Sequence, residues 1–409
     1  MHRRLVLVTA FLVAASGALG ASSFDLPLVH WVATWTASPL PPGSTFNPAP
    51  APFENQTIRH IVRVSAGGWR VRARFSNAFG TAPLRIGAAH IARHASNATI
   101  IAGTDNVLTF GGRPTVTVPV GAVVVSDPVD LDVPTHGRLA VSIYLPEPTG
   151  PPTYHEVTRQ TSYVSEPGDF TGDGEFPIAR STVSRYFLSV VEVQTWVSVD
   201  TVVAFGDSIT VGAQSTVDAY RTWPDLLSAR LNRGGLPRAA VVNQGVGCGR
   251  LLFDQCGQNG SARFDRDVLT ASGARHVIVA LGLNDIGIPV IFGRPAQLVS
   301  ADDIIVGLRQ LIERGHEQNL RVHGATITPV GSSIFPGFFT PENEAKRQAV
   351  NAWIRTSGEF DSVIDFDAVL RDPAQPTRMR PEFSSPDGVH PGDAGYQAMA
   401  NSIDLSLFR

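Results

Sequence analysis

Four short runs hold residue types that together could carry out nucleophilic catalysis. In the first, Gly206-Asp207-Ser208 follows the apolar run Val202–Phe205, so Ser208 falls on a loop at the carboxyl end of an expected strand. A serine hydroxyl is a weak nucleophile until a base takes its proton, and an exposed turn leaves it within a base's reach. The second run is Ser384-Ser385-Pro386-Asp387-Gly388-Val389-His390-Pro391. Asp387 precedes His390 by one turn, close enough for its carboxylate to fix the imidazole tautomer and stabilise the imidazolium. In the third, Leu281-Gly282-Leu283-Asn284-Asp285, the Asn284 amide is a candidate donor to an oxyanion, and Asp285 is read as a brace for the loop. In the fourth, Asn243-Gln244-Gly245-Val246-Gly247-Cys248-Gly249-Arg250, the glycines let backbone N–H groups approach a ligand closely. Each run alone also has a plain reading: a turn or N-cap serine, an Asx-turn beside a surface histidine, a turn asparagine, a Gly-rich turn.

The elements that position these runs change character near residue 200. Beyond it, apolar runs at Val202–Phe205, Ala240–Asn243, Val277–Leu281, Val322–Ile327 and Val363–Phe366 alternate with amphipathic stretches. Thr222 is placed to N-cap a helix with Pro224 in its first turn and Gly234-Gly235 at its end. Ser300 with Asp303 resembles a capping box, for a helix running to about Gly315, and Thr340-Pro341 opens another helix. This predicts an α/β domain over 198–409 with a five-stranded parallel sheet, whose functional residues gather at the carboxyl ends of its strands. Residues 22–197 read as β throughout. Trp69 to Phe75 alternates apolar residues with arginines, which predicts one buried and one solvated face. Ile61–Val64 precedes it across Ala66-Gly67-Gly68, which predicts a hairpin. Further strand-like runs at Leu84–Ile91, Thr115–Val125 and Leu139–Leu145 make an all-β sandwich, jelly-roll-like, the expected form of this half.

At the amino end His2, Arg3 and Arg4 precede an apolar run from Leu5 to Ala15 and then small residues to Ala21. That order is the grammar of a secretory signal peptide, here residues 1–21, and places the protein outside the cell or in the periplasm. The apolar run is too short to span a bilayer comfortably, and no later run is long enough, so stable membrane insertion is not expected. A net charge of −3 with no basic run argues against nucleic acid as a partner. Cys248 and Cys256 are the only cysteines. An even, close pair in an oxidising compartment suggests a disulfide, the alternative being two buried thiols. The chain lacks Gly-x-Ser-x-Gly and His-Glu-x-x-His, His316 and His323 are too irregularly placed to suggest a zinc site, and His323 is read as structural. Neither metal nor cofactor is expected.

In their order along the chain, from Gly206 through Asn243 and Leu281 to His390, and in their placement, the four runs resemble the blocks of the SGNH/GDSL hydrolase family. Ser208 matches its nucleophile, Asn284 its Gly-x-Asn-Asp asparagine, and Asp387 and His390 its Asp-x-x-His pair. The resemblance implies a flavodoxin-like three-layer αβα fold and an oxyanion hole built from the Ser208 N–H, an N–H of the Asn243–Arg250 run and the Asn284 amide. In the family's register Cys248 stands where a glycine is usual, so Cys248 and its neighbour Gly247 are both candidates for the second donor. The runs Ala262–Leu269, Asn351–Arg355 and Ser76–Thr81 look like a secreted subgroup related to acetylxylan-type carbohydrate acetylesterases. The implied activity is hydrolysis of short-chain, acetyl esters on a small molecule or polysaccharide through an acyl-enzyme. The alternatives are a lipase or arylesterase, and a carbohydrate-binding protein whose hydrolase half is inactive. The complete set of Ser208, Asn284, Asp387 and His390 speaks against the last.

Overall fold

A computed structural model describes residues 30–43, 48–195, 197–234 and 238–408. The expected signal peptide, 1–21, lies outside the described residues. The carboxyl half is built on a parallel sheet of β1 (Asp200–Gly206), β2 (Ala239–Gly245), β3 (Ala274–Ala280), β4 (Arg321–Ala325) and β5 (Ser362–Ile364), in the order β2-β1-β3-β4-β5. This is the flavodoxin-like order, in which the chain reverses direction beside β1 and opens a crevice at the strands' carboxyl ends. The strands read as continuous apolar runs because helices cover both faces. Val202, Val203, Phe205, Val277 and Ile278 have no exposed surface.

The helices begin where their capping residues stand. Thr222 accepts from the Asp225 N–H at the start of α1 (Trp223–Leu231), and Thr340 caps α4 (Pro341–Thr356). Between them lie α2 (Leu283–Ile291) and α3 (Ala301–Glu317), the latter opened by a full Ser300–Asp303 capping box. The last helix, α5 (Asp393–Ser402), follows the His390 loop. α1 packs with α5, and α2 and α3 pack with α4, which gives the two helical layers. Helix α1 stops at Leu231, before the expected Gly234-Gly235, because the Asn232 side chain turns back to bind the backbone of Arg238 and Ala239.

Among the described residues the amino half holds a five-stranded and a six-stranded antiparallel sheet, with two small two-stranded ones, around one apolar core. Two expectations about it are corrected. Gln56–Arg63 and Gly68–Ser76 do not form a hairpin: the first pairs within the six-stranded sheet, the second within the five-stranded one. The Ala66-Gly67-Gly68 turn carries the chain between sheets. Gly67 is needed there because a Cβ would lie 2.4 Å from the Val133 carbonyl oxygen. The arginine row is not simply a solvated face either. Arg72 and Arg74 both pair with the buried carboxylate of Glu192, and Arg74 also donates to the Ser272 hydroxyl of the other half.

That contact belongs to a polar seam between the halves. The Ala33 N–H donates to the Ser272 carbonyl (2.8 Å), the Thr36 hydroxyl to the Asn243 carbonyl (2.9 Å), and the Asn232 amide to the Ser65 carbonyl (2.9 Å). Further along, the segment around 155–161 docks on the loop after Ser208. Asp218 donates its N–H to the Arg159 carbonyl and accepts from the Thr161 N–H at 2.7 Å. The seam therefore fixes β-rich residues over the crevice of the parallel sheet.

Candidate active site

Ser208 begins a one-turn helix, Ser208–Val211, directly after β1. Asp207 caps that turn by accepting the Ile209 N–H at 2.9 Å. Burial pushes the Asp207 carboxyl up to about 6, against the opposing pull of that hydrogen bond. Ser208 Oγ lies 2.8 Å from Nε2 of His390, and His390 Nδ1 lies 2.7 Å from Asp387 Oδ2. With Nδ1–H donating to the carboxylate, Nε2 is the acceptor that faces the serine.

The loop that carries the acid and the base is closed on itself. The Ser385 N–H donates to the His390 carbonyl, and Asp387 Oδ1 accepts from the Ser385 hydroxyl and from the N–H groups of Val389 and His390. Burial works against ionising Asp387. Its hydrogen bonds and the His390 charge outweigh that and hold the carboxyl well below the usual carboxylate range. The carboxylate thus stays ionised and has no spare geometry.

Asn284 sits in the first turn of α2 and is only 6% exposed. One amide N–H is spent on the Gly249 carbonyl at 3.0 Å, which sets the rotamer and ties Asn284 to the Asn243–Arg250 loop. Asp285 braces the same loop by accepting the N–H groups of Leu251 (2.6 Å) and Leu252 (3.0 Å). Its own carboxyl is pushed up to about 6 by burial. Cys248 and Cys256 are joined in a disulfide with Cα atoms 5.8 Å apart. Cys248 has φ +45°, the left-handed region that favours glycine. Gly247 and Cys248 both line the cavity in front of Ser208, and neither N–H has a protein acceptor among the described residues.

That cavity has a volume of about 400 Å³ and holds Ser208, His390, Asn284 and Cys248 on one wall. Ile288, Ile291, Phe335 and Phe338 make an apolar side, while Leu40 and His155 to Val157 reach in from the β-rich half. All the expected catalytic and oxyanion residues gather here except Asp387, which stands just behind His390. Sequence reasoning did not place Gln214, whose amide donates to Asp387 Oδ2 at 3.3 Å. It also missed the role of Arg263. This fully buried guanidinium donates to the carbonyls of Gly206 and Gln244 and pairs with Asp267, so it clamps the carboxyl ends of β1 and β2. The apolar i, i+3 spacing of Ile288 and Ile291 was a readable signal. The β-rich wall left none.

His276 and His323 stack at 5.3 Å under Phe408 and take no part in the site. No helix among the described residues is long and apolar enough to cross a membrane.

Residues 204–398 match the model of the GDSL-like lipase/acylhydrolase family. None of the curated proteins matches the sequence. Among solved structures, a GDSL-like lipase from Bacteroides thetaiotaomicron is 17% identical over 51% of this chain and 87% of its own, with a TM-score of 0.39. A carbohydrate acetylesterase family member from Sinorhizobium meliloti is 16% identical over 51% of this chain and 97% of its own, TM-score 0.39. An acetyl xylan esterase is 19% identical over 49% and 96%, TM-score 0.38.

Proposed function

Since the chain carries a GDSL-like lipase/acylhydrolase domain and is a carboxylic ester hydrolase, we propose that it is a secreted serine esterase working through an acyl-enzyme on Ser208. The carrying observation is the continuous chain Ser208–His390–Asp387, opening on a cavity at the carboxyl ends of the sheet. His390 takes the serine proton as Oγ attacks the ester carbonyl. Asp387 holds the imidazolium that forms. The Ser208 N–H, the second Asn284 N–H and an N–H of Cys248 or Gly247 receive the oxyanion. His390 then protonates the leaving alcohol, and water repeats the cycle on the acyl-enzyme.

The family likeness alone points to acetyl groups on carbohydrate. The cavity favours a larger acyl part. An acetyl group would leave most of some 400 Å³ unfilled, with Ile288, Ile291, Phe335 and Phe338 facing water. An apolar acyl chain or aryl group covers that wall. The Cys248–Cys256 bridge supports an oxidising compartment and so secretion.

Hydrolysis of p-nitrophenyl esters from acetate to palmitate tests the reading. Wild type is expected to peak beyond acetate, and Ser208→Ala to lose about 10⁴-fold or more in kcat. A peak at acetate would return the substrate to acetylated carbohydrate. An unchanged Ser208→Ala rate would remove Ser208 from the chemistry.

A further inference from the structure

Residues 262–269 carry part of the family likeness, yet none of them lines the cavity. Arg263 sits near the end of one turn of helix, Gly260–Phe264, and Asp267 follows in a π-helical turn, Asp265–Leu269, a form that recurs at functional sites. The Arg263 guanidinium has no exposed surface. It lies 4.1 Å over the Phe205 ring, with Nη2 2.8 Å from the Gly206 carbonyl and Nη1 2.8 Å from the Gln244 carbonyl. Gly206 stands just ahead of Asp207 and Ser208, and Gln244 just ahead of the loop that carries Gly247 and Cys248. One rigid fork therefore sets the spacing between the strand that delivers the nucleophile and the strand that delivers the second oxyanion donor. Asp267 supplies the countercharge at 3.0 Å. Stability does not explain the arrangement. Nε has no partner among the described residues, and apolar side chains of similar volume often replace a buried ion pair without loss.

The amino half closes this frame. Alternate residues of 36–40 face it. The Thr36 hydroxyl donates to the Asn243 carbonyl, and the Ser38 hydroxyl to the Gln244 side-chain carbonyl at 2.6 Å. The Leu40 side chain lies where a Cβ on Gly257, next to Cys256, would come within 2.5 Å of it. The one Ser38 proton goes to Gln244, so toward Arg263 Nη1, 3.4 Å away, the oxygen accepts. The Ser38 carbonyl in turn lies 2.9 Å from Nδ1 of His155, which lines the cavity. We propose that Arg263 is a positioning residue for catalysis, holding the Ser208 N–H and the N–H groups of Gly247 and Cys248 at the spacing of an oxyanion hole, and that the segment 36–40 of the amino half keeps it there through Ser38. The amino half is then a working part of the active site rather than an appended module. This rests on the ester-hydrolase reading above.

The test uses the full chain with p-nitrophenyl acetate and p-nitrophenyl octanoate. Diethyl p-nitrophenyl phosphate counts the reactive serines in each sample, so kcat is taken per competent site. Arg263→Lys keeps a charge for Asp267 but loses the fork. It is expected to lower kcat about tenfold or more, as small misplacements of catalytic groups do, with KM little changed. Ser38→Ala leaves Arg263 both of its carbonyls and is expected to lower kcat about threefold or more. In each variant the factor is expected to be the same for acetate and octanoate, because the oxyanion is common to both. A residue that only stabilises the fold would change the melting temperature and the number of titrated sites, not kcat per site. If Arg263→Lys does not fold, Ser38→Ala decides alone. A smaller loss per site in either folded variant, a loss carried by KM alone, or a loss confined to one ester overturns the proposal. Failure of the ester-hydrolase reading shows separately, as no cleavage of either ester by wild type, and removes this inference with it.

Discussion

Replacing Asn284 with alanine separates a catalytic asparagine from a turn asparagine. The side chain is 6% exposed, and one amide N–H is committed to the Gly249 carbonyl. In the proposed mechanism the remaining N–H is the one that meets the oxyanion. That bond forms fully only as negative charge develops, so its loss is expected in kcat with KM little changed. Removing one such donor typically costs about 10²–10³ in kcat, or about 3–4 kcal/mol of transition-state stabilisation. The same change strips the Gly249 carbonyl of its partner, at about 1–2 kcal/mol of folding stability. Initial rates on p-nitrophenyl esters, with thermal unfolding of the same samples, read both quantities. Asn284→Asp keeps the shape but replaces the donor by an acceptor beside the oxyanion, and is expected to be no better than alanine. A kcat within about fivefold of wild type, with stability alone reduced, would refute the reasoning and leave Asn284 a structural turn residue.

Two further outcomes follow from the same geometry. Reducing the Cys248–Cys256 bridge is expected to lower kcat before the protein unfolds, because the bridge pins the loop that carries Gly247 and Cys248. The bridged residues are 8 apart, and the chain-entropy model gives about 2.5 kcal/mol of stability for so short a loop. Unchanged kinetics of reduced, folded enzyme would contradict this. Stability is expected to fall between about pH 6.5 and pH 4. Burial first of all keeps His136, His155 and His323 neutral down to about 4 and His60 to about 3. The unfolded chain therefore binds these protons first, and the histidines' contribution, complete above about 6.5, is lost as the pH drops through their folded values. For fully buried His155 this is on the order of 3 kcal/mol at the acid limit. Asp207 and Asp285, pushed up to about 6, act oppositely: their contribution is present below about 4 and lost as the pH rises through 6. The histidine shifts are larger and more numerous, so melting temperatures across this range should decrease toward acid. A flat or rising curve would show that the carboxyls dominate.

The parallel-sheet half was legible because its signals are local and agree with one another. An apolar run ending in Gly206-Asp207-Ser208, an N-cap at Thr222 and a capping box at Ser300 each bound an element within a residue or two. The Asp387-x-x-His390 spacing was likewise enough to bring carboxylate and imidazole together, because one turn spans it. The β-rich half was legible only as alternation. A period of two tells which residues share a face, not which strand lies alongside. Gln56–Arg63 and Gly68–Ser76 therefore looked like a hairpin, although they serve different sheets. The arginine row misled for a related reason: its partner Glu192 is brought alongside Arg72 only by strand pairing far along the chain. The β-rich wall over Ser208 depends on the docking of Arg159 and Thr161 against Asp218. Nothing in the spacing of residues 155–157 reports that contact.

The central claim is that Ser208 is the nucleophile activated by His390. The most direct measurement is the intact mass of the protein after reaction with diethyl p-nitrophenyl phosphate, an ester that leaves a stable phosphoryl group on an activated serine. The account predicts one diethylphosphoryl adduct per chain, mapped to Ser208, released p-nitrophenolate in equal amount, no adduct in Ser208→Ala and slow labelling in His390→Ala. An adduct on another residue, or none in enzyme that still cleaves esters, would contradict it.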